Sequence, residues 1–177
     1  MQTSESLIFL IDTLTEHSQD DRKNTLLIGN PDSKIIENFV NRSIQGDRNE
    51  LNEIIKLEKP YLFINDSCFY RSTRELYKSI LNQFLIAYDY TANLNMLEKE
   101  VCYRIKKYNV KVLIINGFYK LFKYEKSDLK TKRILFALNQ LVNELCLSMV
   151  AIGNQEAGQY LNSKTQYKYD IVELSSF

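Results

Sequence analysis

The chain has 177 residues, of which 45% are hydrophobic and 25% are charged, and its formal net charge is only +1. This size and composition are typical of one folded domain and exclude a mainly disordered chain. No apolar run approaches the roughly 20 residues that a membrane-spanning helix needs, and no basic secretory segment opens the sequence. Cys68, Cys102 and Cys146 are widely spaced and His17 is the only histidine, so neither a disulfide framework nor a metal site is indicated. These features predict a cytoplasmic protein.

Five short apolar segments predict the strands of a sheet. Four of them are apolar or β-branched throughout, as strands buried on both faces of a sheet are. Turn-forming Gly or Asn residues follow each of the four within two positions. The four segments are 25–28, 61–64, 112–115 and 149–152, and a fifth strand is predicted at 171–174.

Helical patterns separate the predicted strands. Apolar residues recur at three- and four-residue spacing near 35–40, 76–85, 94–105 and 135–145, and a short helix is predicted at 155–161. Ser127 and Asp128 fit the N-cap and first turn of the helix over 135–145. This alternation predicts an α/β fold with a mostly parallel sheet and right-handed crossovers. Ligands of such sheets bind at the carboxyl ends of the strands, which here are 29–34, 65–68, 116–119 and 154–156.

The segment after the first predicted strand partly matches a phosphate-binding loop. Such a loop reads G-x-x-x-x-G-K-[ST], in which backbone N–H groups and the Lys hold phosphates and the hydroxyl holds Mg²⁺. Here Gly29 lies one residue too close to Lys34, Ser33 replaces the second Gly, and Ile35 replaces the hydroxyl residue. Pro31 also removes one N–H group. Taken alone, the segment is a weak match that an ordinary strand–turn–helix also explains.

The third predicted strand ends without the acids that nucleotide hydrolysis needs. In nucleotide hydrolases this strand ends in Asp-Glu, where the Asp organises Mg²⁺ and the Glu activates water. The chain has Asn116 and Gly117 at these positions. Neither side chain supplies a negative charge or a base.

Basic residues concentrate between 99 and 133, where eleven Lys and Arg side chains stand against three acidic ones. Such a block is either a solvated helix face or a surface for a polyanion. Aromatic and Lys residues alternate over 118–126, which suits base stacking and phosphate contact but equally suits packing of Phe118, Leu121 and Phe122 in the core. The candidate nucleic-acid contacts are Lys120, Lys123, Lys126 and Lys130.

Several longer segments, in the same order, resemble the TniB (TnsC-like) family of AAA+ regulator ATPases of bacterial DNA transposition. VKVLIINGFYKLF at 110–122 is similar to the family's strand ending LIIDE and its following H-x-x-L turn. ILFALNQLVNELCLSMVAIGNQEA at 134–157 is similar to FLNALRFLANELRIPLVGVGTREA, and ELYKSIL at 75–81 contains the family's LYxxIL. The resemblance extends over roughly residues 6–174.

The resemblance implies a P-loop NTPase-like, three-layer AAA+ (ASCE) fold with a central, mostly parallel five-stranded sheet. It further implies a single core domain over 1–177, with an N-terminal helical segment at 1–20, an α/β core at 21–177 and no C-terminal lid domain. Lys168 falls where the family has an Arg, and is a candidate inter-subunit contact. The residues at the positions of the family's nucleotide site are Gly29, Asn30, Ser33, Lys34, Asn116 and Asn154.

These departures predict a non-catalytic, degenerate family member that has no catalytic residue and needs no cofactor. Its expected role is protein or DNA interaction within a transposition or mobile-element system. Expected partners are an active ATPase homologue, a transposase, a target selector or DNA, but not a membrane, and the chain itself is a candidate for oligomerisation. Two alternatives stay open: a regulator that binds ATP and Mg²⁺ and hydrolyses slowly, and a nucleic-acid-binding module that uses the basic block.

Overall fold

The computed structural model describes residues 9, 13, 24–28, 60–65, 68–84, 87–123, 128–162 and 169–173. It contains five strands, which are β1 (Asn24–Ile28), β2 (Tyr61–Ile64), β3 (Val112–Ile115), β4 (Ser148–Gly153) and β5 (Asp170–Glu173). They form one sheet in the order β2-β3-β4-β1-β5. Every neighbouring pair is parallel, as the sequence predicted.

The helices within the described residues are α1 (Thr73–Asn82), α2 (Leu94–Lys107), α3 (Lys120–Lys123), α4 (Asp128–Leu145) and α5 (Gln155–Asn162), and a 3₁₀ turn at Phe69–Arg71 precedes α1. The predicted pattern at 76–85 therefore includes Phe84, which follows the end of the helix, while residue 85 lies outside the described residues. The predicted helices near 35–40 and Ser127 lie outside the described residues, as does nearly all of the segment 1–20. No helix in the described part of the chain is long and apolar enough to cross a membrane.

Side-chain caps fix where α1 and α2 begin. The Ser72 hydroxyl accepts a hydrogen bond from the Glu75 N–H at 3.2 Å, and the Asn93 side-chain oxygen accepts one from the Met96 N–H at 3.0 Å. Each cap satisfies a backbone donor that the first helical turn leaves unpaired. The start of each helix is thus set by one short polar side chain.

Left-handed residues end α2 and α4. Asn109 follows α2 with φ 51°, and Cys146 follows α4 with φ 60°. At α2 the Val110 N–H reaches the Ile105 carbonyl at 3.0 Å, and at α4 the Leu147 N–H reaches the Val142 carbonyl at 3.0 Å. These are the closing bonds of Schellman motifs, in which glycine usually takes the left-handed position.

The core lies on both faces of the sheet. Every residue of β2, β3 and β4 is buried, and successive side chains of a strand point to opposite faces. On one face, strand residues such as Leu62 and Leu113 join one apolar cluster with the inner sides of α1, α2 and α4. Helix α5 contacts β1 and β4. Both-sided burial explains why the strand sequences are continuously apolar.

Candidate functional site at the carboxyl edge of the sheet

Two asparagines pair across the carboxyl ends of β2 and β3. The Asn116 side-chain amide donates a hydrogen bond to the Asn65 side-chain oxygen at 2.9 Å. The Asn116 backbone N–H also donates to the Ile64 carbonyl at 2.9 Å. Asn116 therefore joins the two strand ends as a neutral donor and places no carboxylate at this edge.

The next residue, Gly117, has a left-handed backbone with φ 71°. A Cβ atom added here would lie 3.2 Å from Cε and 3.4 Å from Nζ of Lys120. The Lys120 side chain thus folds back over the backbone of Gly117. A residue with a side chain is strained at this φ, so the backbone itself favours glycine over any acid at this position.

The turn that follows β3 is attached to the next strand. The Phe118 N–H donates to the Ile152 carbonyl at 2.8 Å, and the Phe118 ring is fully buried with its centroid 5.7 Å from that of Phe122. Leu121 is fully buried as well. The sequence reading in which Phe118 and Leu121 are core residues is confirmed, and Phe122 packs against the same cluster while half-buried.

Close packing also shapes the end of β4. A Cβ atom at Gly153 would lie 3.2 Å from Cβ of Ala157 and 3.4 Å from Cδ1 of Leu26. The Asn154 side-chain oxygen accepts a hydrogen bond from the Ala157 N–H at 3.1 Å, and its amide donates to Glu156 at 3.4 Å. Asn154 therefore caps the N-terminus of α5.

The basic block between 99 and 133 does not form one surface. Arg104 is only 5% exposed, its Nε lies 2.6 Å from a Glu100 carboxylate oxygen, and it donates to the Ala87 carbonyl at 3.0 Å. Arg104 is therefore neither part of a solvated helix face nor part of a surface for a polyanion. Its guanidinium instead links the segment before α2 to that helix. Among the cations of the block whose side chains the structure describes, Lys99, Lys106, Lys107, Lys111, Lys132 and Arg133 are exposed.

A concave surface lies where the N-terminal ends of α1, α2 and α4 meet. It consists of two cavities of about 490 and 620 Å³ that share Thr73, Leu94 and Arg133. We call it the basic groove. The first cavity is lined by Arg71, Ser72, Thr73, Arg74, Leu94, Leu129, Lys130 and Arg133. The second adds Tyr77, Glu98, Lys132, Phe136, Ala137 and Gln140.

Burial suppresses ionisation of two groups near this surface. Burial, reinforced by the charge of Glu98, raises the pKa of Tyr77 well above its usual range, and the Tyr77 hydroxyl lies 3.2 Å from the Glu98 carboxylate. Burial and Glu98 also raise the pKa of the Cys102 thiol, which keeps it protonated and unreactive. No group of three potential metal ligands occurs among the residues that the structure describes.

Comparison with known protein families shows which family the chain belongs to. Residues 2–172 match the family described as "Bacterial TniB protein". The chain belongs to the TniB family. It is thus a transposition-associated AAA+ protein, as the sequence resemblance implied. No curated protein matches it.

Solved structures show the same fold. The chain is similar to the Aeropyrum pernix ORC2 protein in its ADPNP–ADP complexes, with a TM-score of 0.60 and 12% identity over 97% of this chain and 46% of that one. The ADP form of ORC2 gives a TM-score of 0.59 and 11% identity over 97% and 47%. The TniB-family chain therefore has a P-loop NTPase fold of the AAA+ type, and it spans about half the length of these ORC2 chains.

The structure describes only part of the nucleotide site that the TniB resemblance indicated. Asn116 and Asn154 lie at the ends of the adjacent strands β3 and β4, and both side chains make structural hydrogen bonds. Of the candidate nucleic-acid contacts, Lys120 and Lys130 are half-buried. The structure does not describe the side chain of Lys123. Six further candidates lie outside the described residues: Gly29, Asn30, Ser33, Lys34, Lys126 and Lys168.

Sequence reasoning missed two cations of the basic groove. Arg71 and Arg74 lie about 60 residues before Lys130 and Arg133, in a segment with no concentration of basic residues. The helix packing alone brings the two pairs together in one cavity. Amphipathic patterns predicted the helices but did not indicate which helix ends meet.

Proposed function

We propose that this TniB-family chain is a non-catalytic AAA+ core that acts by binding other macromolecules in a transposition system. The observation that supports the proposal is the end of β3, where Asn116 and Gly117 occupy the positions of the family's two acids. The amide of Asn116 is held by Asn65, and the left-handed backbone of Gly117 disfavours a side chain. The local geometry at both positions is thus compatible with the absence of the two acids and supports the proposal.

The loss is large on the scale of enzymatic catalysis. Most of the stabilisation in phosphoryl transfer comes from the metal ion and from positioned charges. Without the metal acid, the metal hydroxyl and the base, we expect a barrier higher by about 5 kcal/mol or more, which corresponds to a rate roughly 10³- to 10⁴-fold lower. ATP hydrolysis by this chain then falls to background, and no cofactor is needed for its role.

The proposal is tested with the full chain, MgATP and two measurements. Calorimetric titration measures nucleotide binding, and phosphate release measures turnover, with the Lys34→Ala variant as the control for a phosphate-loop contribution. We expect weak or absent binding and no turnover above that of Lys34→Ala. Micromolar binding together with turnover that Lys34→Ala abolishes would overturn the proposal in favour of a slow ATP-hydrolysing regulator.

A non-catalytic core contributes through its surfaces. We propose that its partners are other transposition proteins in the bacterial cytoplasm: an active ATPase homologue, a transposase, a target selector or further copies of the chain. The AAA+ sheet and its helices then serve as a rigid scaffold for those contacts. Co-purification of the chain with the products of neighbouring genes tests this role, and a chain that elutes alone with each of them contradicts it.

DNA contact is a second candidate function, which the six exposed cations of α2, the following turn and α4 favour. Binding to phosphates weakens steeply as the salt concentration rises. Charge reversal at Lys99, Lys106 and Lys107 tests the exposed cations of α2, and charge reversal at Lys120, Lys123 and Lys126 tests the segment after β3. If duplex affinity does not change in either variant, neither set of lysines contacts DNA.

A further inference from the structure

The first cavity of the basic groove is strongly cationic. Arg71, Arg74, Lys130 and Arg133 line its wall, and no carboxylate occurs among the described residues that line it. Arg74 donates to the backbone carbonyls of Thr91 and Ala92 at 3.2 and 2.6 Å, which holds its guanidinium in place. Arg74 also acts on the carboxylate of Asp89, whose pKa is lowered by hydrogen bonds from Thr91 and by the charge of Arg74, and the other cations of this wall are Arg71, Lys130 and Arg133.

The second cavity is different in character. Phe136 lines only this cavity, Leu94 lines both cavities and Leu129 lines the first, although they are 67%, 44% and 59% exposed. Large apolar side chains in such a concave setting mark interaction sites more often than isolated ones do. The carboxylate of Glu98 also lies in this cavity, next to the hydroxyl of Tyr77. The second cavity is also lined by Lys132 and Arg133, so the groove passes from an end with four cations and no acid to a more apolar end with two cations and one acid.

We propose that the basic groove binds a linear segment of a partner protein in which acidic residues stand next to a large apolar residue. The acidic residues lie against Arg71 and Arg133, and the apolar residue lies against Phe136 and Leu94. Arginine suits this role because its planar guanidinium pairs with carboxylates in a bidentate manner. The inference deepens the proposed protein-binding function and rests on it.

The distribution of charge favours a peptide over a nucleic acid. A nucleic acid carries a negative charge at every nucleotide, so a strand that follows the groove would place phosphates beside Glu98 and against apolar side chains. An acidic peptide with an apolar anchor has its charges at one end only. That asymmetry matches the two cavities.

The test uses peptides of random sequence displayed on phage and selected on the full chain. Enriched peptides are then synthesised with a fluorescent label, and fluorescence anisotropy measures their affinity for the wild type and for variants. The Arg71→Gln/Arg133→Gln variant removes two exposed cations of the groove, and Phe136→Ala removes the apolar contact. The matched control is Lys106→Gln/Lys111→Gln, which removes two exposed cations outside the groove.

We expect enriched peptides to combine Asp or Glu with a neighbouring Leu, Ile or Phe. We expect Arg71→Gln/Arg133→Gln to weaken their binding about tenfold, since partly exposed ion pairs each contribute modestly. Phe136→Ala should weaken binding roughly threefold to tenfold, and the control variant should change it less than about twofold. Unchanged thermal unfolding of all variants confirms that the substitutions act on binding.

Four results would overturn the inference. They are a lack of enrichment, enrichment of peptides without acidic residues, equal loss of affinity in the control variant, and preferential binding of single-stranded or duplex oligonucleotides that the groove variant abolishes. Self-association of the chain that the groove variant abolishes would likewise assign the groove to a contact between copies. None of these results involves ATP. A failure of the groove proposal can therefore be distinguished from a failure of the proposed non-catalytic function, which the hydrolysis assay tests.

Discussion

The left-handed backbone at Gly117 makes the loss of the catalytic acid testable as a stability effect. In Gly117→Ala, a β-carbon enters a position with φ 71°, which costs about 1–2 kcal/mol for a residue other than glycine. The contact of this β-carbon with Lys120 Cε at 3.2 Å is relieved by movement of the lysine side chain. The lower entropy of the unfolded Ala chain offsets about 0.4–1 kcal/mol. We therefore expect a net destabilisation of about 1 kcal/mol.

Chemical and thermal unfolding measure this effect directly. A loss of about 1 kcal/mol lowers the unfolding temperature by roughly 2–4 °C in a chain of this size. Because the cost arises from the backbone, Gly117→Ala should cost the same in a Lys120→Ala background, and this double-mutant cycle separates strain from the steric contact. An unchanged or raised unfolding temperature for Gly117→Ala would refute the claim that the backbone excludes a side chain here.

The same reasoning extends to a restored acid pair. Asn116→Asp removes the amide that donates to Asn65, but the exposed Asn65 amide can turn and donate its NH2 group to the new carboxylate. Gly117→Glu adds the backbone strain. We expect the double variant to lose about 1 kcal/mol of stability and to gain no ATP hydrolysis in a phosphate-release assay. Hydrolysis well above the wild-type background would show that the two acids alone had been missing.

Three further predictions follow from the packing. Cys146→Gly should raise stability by up to about 1 kcal/mol in urea unfolding, because glycine adopts the left-handed conformation at the end of α4 without strain, and a destabilised variant would contradict this. Arg104→Ala should lower stability by about 1–2 kcal/mol, since it removes the hydrogen bond to the Ala87 carbonyl and the ion pair with Glu100, whose side chain is 38% exposed, and an unchanged stability would contradict this. Burial raises the pKa of Tyr88 to about 12, and Tyr77 shifts in the same direction. The folded state therefore holds these protons more tightly than the unfolded chain does. The contribution of the two tyrosines to the free energy of unfolding is fully present below about pH 10, and that of Tyr88 is lost as the pH rises to about 12. Tyr88→Phe should flatten that decline in unfolding experiments at stepped pH, and an identical profile would contradict the assignment.

Local sequence predicted most of the fold because its signals are local. Each strand is a short, continuously apolar segment, and each helix has its own three- and four-residue spacing, so neither requires knowledge of distant residues. Glycines and capping residues then mark the ends of many of these elements. The helix pattern extended past the end of α1 at Asn82, because Phe84 is buried in the core although it follows the helix.

The sequence predicted the candidate site only where the residue type at one position is enough to exclude a chemical role. The absence of acids at Asn116 and Gly117 is visible in the sequence, but the structural use of these positions is not. The bond from Asn116 to Asn65 joins residues 51 positions apart, and it forms because the sheet places β2 beside β3. The φ of Gly117 likewise depends on the attachment of its turn to β4.

The amino-acid sequence by itself determined the parallel α/β sheet, the family and the missing acid pair, because these depend on patterns within short segments. Tertiary structure alone decided that Arg104 is buried against Glu100 and that Arg71 shares one cavity with Arg133. The physical reason is that net charge along a chain does not specify where side chains lie. Helix packing buries one cation of a basic segment and brings cations from distant segments together to form the basic groove.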